Sequence, residues 1–291
     1  MSRKACFAAL LVLAGVLCLT ASAEARGRFC RSDGQPVFYE DRGAGQNAIV
    51  LIHGWSCEHG VWAMQIPGLA RTWRTLALDL PGHGRSSAIE RGYDLETLAR
   101  AVDAVVRDSG VRRVVLAGHS MGLMVAYRYA LAHPEAVAGL VNVDGAFVRM
   151  PEDREPVAGF LKMLDDPAVT RDWRAFGAGF LKDMYAPGTP ETLKRWVLWT
   201  VWGTSPQVSE SALRHFLLEG EFTKPLAVPS LAVYAAMSVV TPDNEAYLRR
   251  FCSGLTYVQW DGVGHFLMFE RPDELTRAIG DFCRSVNLSG S

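Results

Sequence analysis

The sequence has no CxxC pair, no cysteine–histidine cluster and no glycine-rich nucleotide or flavin motif, so nothing in it points to a metal or a bound cofactor. An excess of one charge is also missing. The 30 basic and 31 acidic residues leave a net charge of −1, without the basic footprint of a nucleic-acid binder. Charged residues make up only 21% against 49% hydrophobic, which excludes a disordered chain. The 27 glycines and 14 prolines follow no repeat, which excludes collagen and low-complexity sequence. Beyond the N-terminus no apolar run approaches the roughly 20 residues that cross a membrane.

What is present begins with a leader-like segment. Arg3 and Lys4 precede an uncharged apolar run from Cys6 to Thr20, and Ala21-Ser22-Ala23 fits a small-x-small cleavage site. This is the plan of a signal peptide over residues 1–23, so the chain is expected to be exported, periplasmic or secreted, and to start near Glu24. Val16 and Leu17 before Cys18 argue against a lipoprotein signal. Cys30, Cys57, Cys252 and Cys283 remain, and in an oxidising compartment they permit two disulfides or four buried thiols.

The length of 291 residues fits one large α/β domain, or one domain with an insertion. Short apolar runs read as strands at Ala48–Ile52, Thr75–Leu78, Val114–Ala117, Gly139–Val143, Ser230–Tyr234 and Thr256–Trp260, with Val37–Glu40 as a further candidate near the edge. Leu95, Leu98, Val102 and Val105 mark one helix between Asp94 as N-cap and Gly110 as stop, and Pro272 opens a C-terminal helix. Strands alternating with helices predict a mainly parallel twisted sheet covered on both faces. Phe147 to Thr223 breaks the rhythm with helical patches, no clear strand and many large apolar residues. The organisation expected is a core over 24–146 and 224–291 with a helical lid over 147–223, before the last two strands.

Gly118-His119-Ser120-Met121-Gly122 lies between a strand and a helix. That context makes a G-x-S-x-G specific, because a sharp turn with flanking glycines exposes a strained serine hydroxyl. Serine needs a base, and His265 in Gly262-Val263-Gly264-His265-Phe266 follows the last strand, where ligands bind in an open sheet. His53-Gly54-Trp55 and Asp79-Leu80-Pro81-Gly82-His83-Gly84-Arg85-Ser86 complete four ordered motifs. Together they resemble the α/β-hydrolase fold superfamily, in particular its lid-bearing serine esterases and lipases, over essentially the whole mature chain. The resemblance implies Ser120 as nucleophile, His265 as base, and an oxyanion hole from the backbone N–H groups of Met121 and Trp55.

The acid departs from the family pattern. Many members carry an Asp just after the penultimate strand, where this chain has Ser238 and no acid before Asp243. Asp144, after the strand that follows the nucleophile helix, is the preferred acid, because other members of the fold supply it from there. Asp79 and Arg85 are assigned to holding the glycine loop and His53 and Gly54 to shaping the oxyanion loop. His119 flanks the nucleophile, and His59, His83, His133 and His215 have no evident partners. Leu123 stands where a second glycine is frequent.

The leading reading is a serine hydrolase acting on an ester, thioester or lactone with an apolar acyl or aryl group, without cofactor or metal. Its expected partner is a small ester-type substrate, with no nucleic acid and no membrane span after leader removal. Ser120 argues against the Asp-nucleophile dehalogenases and epoxide hydrolases. Perhydrolase or haloperoxidase-like and aminopeptidase-like activities use the same groups, and a non-catalytic ligand-binding protein is the alternative of another class.

Overall fold

A computed structural model describes residues 26–90, 92–145, 147–236 and 242–290. The leader segment and Ser238 lie outside the described residues. Eight strands form one sheet: β1 (Arg26–Ser32), β2 (Gln35–Arg42), β3 (Asn47–Ile52), β4 (Arg74–Leu78), β5 (Arg113–His119), β6 (Val137–Val143), β7 (Ser230–Ala235) and β8 (Leu255–Trp260). Their order is β1-β2-β4-β3-β5-β6-β7-β8, parallel from β4 to β8, with β1 and β2 antiparallel at one end. The central strands β5, β6 and β7 are buried almost end to end, as continuous apolar runs in a doubly covered parallel sheet should be.

Val37–Glu40 lies in β2, near the edge of the sheet as expected, while β1, which pairs outside it, was not foreseen. β1 reads as polar sequence, with Phe29 and Arg31 exposed and Cys30 and Ser32 inward, so it carries no apolar run. Its turn is legible in retrospect. Asp33 and Gly34 both have positive φ, at 48° and 81°, the geometry of a two-residue hairpin turn.

Helix α1 (Leu95–Ser109) starts where the Asp94 carboxylate accepts the Thr97 N–H at 2.7 Å and stops at Gly110, φ 70°. α2 (Met121–Ala132) follows Ser120 directly. Between β6 and β7 lie α3 (Arg154–Leu164), α4 (Trp173–Leu181), α5 (Glu191–Gly203) and α6 (Pro206–Glu219), with no strand among the described residues. α7 (Pro272–Ser285) packs Leu275, Ile279 and Phe282 into the core. No helix among the described residues is long and apolar enough to cross a membrane.

The helical insertion is tied to loops at the C-terminal ends of the parallel strands. After β3, Trp55 Nε1 donates to the Ser209 carbonyl at 2.7 Å and Thr204 Oγ1 donates to the Ser56 carbonyl at 3.1 Å. After β8, His265 N donates to the Met184 carbonyl at 2.7 Å.

Cys30, Cys57, Cys252 and Cys283 are all buried, unpaired thiols. Burial pushes Cys30 and Cys252 up to about 11 and Cys283 to about 12. The native protein is therefore expected to react with Ellman's reagent at almost none of its thiols, and the denatured mature chain to titrate all of these. Fast labelling of the folded protein would contradict this burial.

Candidate active site

The turn between β5 and α2 puts Ser120 at φ 52°, ψ −123°, a backbone conformation that a non-glycine residue holds only where its surroundings impose it. The neighbours show what imposes it. A Cβ on Gly118 would come within 2.5 Å of the Leu123 backbone, and one on Gly122 within 2.4 Å of the His53 carbonyl. Only glycine lets helix, turn and β3 loop approach this closely. Leu123, where a glycine is frequent, is fully buried and packs its side chain toward Gly145. Met121 opens α2, so its N–H has no acceptor within the helix and lies at the positive end of the helix dipole.

His265 is 5% exposed, and its Nδ1–H donates to Asp144 Oδ2 at 2.7 Å. A carboxylate only accepts, so this bond fixes the proton on Nδ1 and leaves the Nε2 lone pair available. Asp144 is completely buried, and its other oxygen accepts the Ala235 N–H at 2.9 Å. Burial raises the Asp144 carboxyl above the usual range, against the bonds from His265 and Ala235 that favour the ionised form. Asp243 instead stands exposed, 3.0 Å from the Arg149 guanidinium. Of the two acids weighed in the sequence, the fold brings Asp144 to the histidine.

The sequence reading missed the groups that hold this pair. Asp144 itself has φ 48°. Beside it, Asn142 accepts the Gly145 N–H at 2.9 Å and donates to the Tyr234 hydroxyl at 2.8 Å, and that hydroxyl donates to the Gly145 carbonyl. β6 and β7 thus brace the turn that presents the acid. A polar Asn in an otherwise apolar strand was the available signal. His119 was also passed over. It is buried, its Nε2–H donates to the His265 carbonyl at 3.0 Å, and its ring lies 4.5 Å from the His265 ring. Burial lowers its pKa well below the usual imidazole value, so it adds no competing positive charge there.

The oxyanion side is equally constrained. His53 donates from Nδ1 to the Gly54 carbonyl at 2.8 Å and accepts the Leu80 N–H at Nε2, 3.0 Å. A Cβ on Gly54 would lie 3.0 Å from Ser120 Cβ, which places this loop against the nucleophile. The Trp55 indole meets the Phe180 ring edge-on at 5.2 Å, among the aromatics of α4.

A sequence profile of the alpha/beta hydrolase fold matches residues 47–185. A pimeloyl-[acyl-carrier protein] methyl ester esterase of Yersinia enterocolitica is 34% identical over 265 residues, covering 86% of this chain and 98% of that protein. The chain belongs to the α/β-hydrolase fold family. A second esterase of the same name, from Aeromonas hydrophila, is 31% identical over 80% of this chain and 94% of its own length. Among solved structures, an esterase from Exiguobacterium antarcticum superposes with a TM-score of 0.76 at 22% identity, covering 89% of this chain and all of that one. A membrane phospholipase A superposes with a TM-score of 0.73 at 27% identity over 99% of both chains.

The remaining histidines of this hydrolase have partners that sequence did not reveal. His83 donates its Nδ1–H to the Pro81 carbonyl at 2.9 Å, His133 lies 3.6 Å from Asp103, and His215 pairs with Glu219 at 2.8 Å. His59 Nδ1 lies 2.8 Å from both Glu58 and Asp79. Asp79 also accepts the backbone N–H groups of His59 and Arg85, so it ties the β3 loop to the glycine loop. Glu58, His59 and Asp79 are the described side chains whose ligand atoms come close enough to hold a metal ion.

Desolvation alone would lower His59, but the Asp79 and Glu58 carboxylates outweigh it and raise the imidazole to about 10. A base raised on folding from the ordinary imidazole value of 6.5 stabilises fully below 6.5, progressively less at higher pH, and not at all above about 10. His59→Gln is therefore expected to lower Tm most on the acid side of neutrality, with the deficit shrinking toward alkaline pH. Thermal melts across that range check it, and a deficit that grows with pH would contradict it.

Next to His265, under the helical insertion, lies a cavity of about 460 Å³. Its walls are Phe147, Phe160, Phe180, Met184, Leu213 and Phe216, with Asp153 as the one carboxylate among the described lining residues.

Proposed function

We propose that the protein is an exported serine hydrolase that cleaves a carboxylic ester with an apolar acyl or aryl group. Ser120 Oγ attacks the carbonyl carbon while His265 Nε2 takes its proton. The tetrahedral oxyanion is met by the backbone N–H groups of Met121 and Trp55. Collapse expels the alcohol, which receives the proton from His265, and leaves an acyl-serine. Water, deprotonated by the same histidine, then releases the acid. Asp144 holds the imidazole in its working tautomer and stabilises the imidazolium that forms at each proton transfer.

The observation that carries this reading is the buried 2.7 Å contact between Asp144 and His265, on the strand ends beside the strained Ser120 turn. The apolar cavity at His265 supports an apolar acyl or aryl group. The relatives named as methyl ester esterases support an ester as the bond cleaved. The charged start, apolar run and Ala21-Ser22-Ala23 of the sequence support export. The helices between β6 and β7 act as the lid in this reading. The test is hydrolysis of p-nitrophenyl esters from acetate to dodecanoate by the mature protein, with Ser120→Ala alongside. Activity that is absent across the series, or that survives in the variant, overturns it.

A further inference from the structure

We propose that the acyl cavity accepts chains with a neutral far end, and that Asp153 in its lining refuses a chain that ends in a carboxylate. The inference rests on the ester-hydrolase reading and names the substrate class of that site.

His265 and Phe147 both line the cavity, with their rings 5.6 Å apart and the histidine almost wholly buried. Asp153, partly exposed, and Pro156, exposed, line it as well. The other described walls are aromatic and aliphatic and offer no partner for an ionised group. An acyl chain whose carbonyl sits at His265 therefore extends among apolar walls that hold one carboxylate, Asp153.

The Asp153 side chain is held in place, because its Oδ2 accepts the Arg149 N–H. The Arg149 guanidinium is engaged elsewhere, 3.0 Å from Asp243 and 5.7 Å from the Tyr247 ring centre. Neighbouring charges on α3 are mixed, with Glu155 and Arg154 both exposed. A carboxylate arriving on the end of a substrate chain meets a like charge in the lining and no cation among the described lining residues.

The test compares kcat/KM for p-nitrophenyl esters of straight-chain fatty acids with p-nitrophenyl half-esters of adipate, suberate and sebacate. For the neutral esters kcat/KM is expected to rise about fourfold per added methylene until the cavity is full. The half-esters are expected to be slower by about tenfold or more than neutral esters of matching length, with the gap narrowing in high salt. Asp153→Asn keeps an oxygen that accepts the Arg149 N–H and removes the charge. It is expected to raise the half-ester to neutral-ester ratio several-fold, mainly through KM. Equal rates for the two series in the wild type, which needs no folded variant, or an unchanged ratio in Asp153→Asn, overturns the proposal. Ser120→Ala separates the two readings. If it abolishes cleavage of both series, the hydrolase reading stands whatever the ratio does. If cleavage persists, that reading fails first.

Discussion

Ser120→Ala is expected to lower kcat for p-nitrophenyl ester hydrolysis by about 10⁶, to little more than the background that the oxyanion donors and binding supply. The methyl group of alanine cannot form the acyl intermediate, so the divided reaction path is lost, not merely slowed. The change is mild for the fold. Ser120 is only partly buried and its side chain makes no capping bond to α2. The strained φ of 52° is imposed by the close approach of Gly118, Gly122 and Gly54, which alanine leaves intact. Steady-state kinetics paired with a thermal melt decides the matter. A burst of p-nitrophenol equal to the enzyme concentration is expected from the wild type and absent from the variant. Retained turnover would remove Ser120 from the mechanism.

The second large effect belongs to Asp144→Asn, expected to lower kcat by about 10⁴. An amide nitrogen or oxygen at this position no longer enforces the His265 tautomer with a proton on Nδ1, and no longer stabilises the imidazolium. The loss is expected in kcat, with KM changed little, because the residue touches the histidine and not the substrate. Asp243→Asn serves as its control and is expected to stay within about twofold of wild type, since Asp243 stands exposed beside Arg149. The reverse pattern, with Asp243→Asn inactive and Asp144→Asn active, would reassign the acid.

These two residues show how unevenly the site is written in the chain. Ser120 is legible because its signal is local: a turn tight enough to expose a serine needs glycines within two positions on either side. Asp144 is harder, because its partner lies 121 residues away and no period or spacing encodes that contact. The sequence supplied it as the preferred acid only through the resemblance, because other members of the fold carry the acid at that strand end. The brace of Asn142 and Tyr234 and the bond from His119 to the His265 carbonyl were not legible. Each joins groups from different strands or loops, so that even Asn142, a polar residue in an apolar strand, does not name its partner.

The parallel strands, the helices with their Asp94 cap and Gly110 stop, the serine turn and the histidine loop follow from the sequence by itself. Apolar runs, helical periods and glycine placement act over a few residues and leave a mark at that scale. The tertiary structure decided the rest. It placed β1 outside β2, brought Asp144 rather than Asp243 to His265, and left four cysteines as separate buried thiols. It also turned the aromatics between β6 and β7 into both a packed cluster around Trp55 and the walls of a cavity. The physical reason is common to all of these. Hydrophobic burial is non-directional, so an apolar sequence declares that a residue is inside without saying which neighbour it will meet. The closing of the sheet and the seating of the helices upon it make that choice.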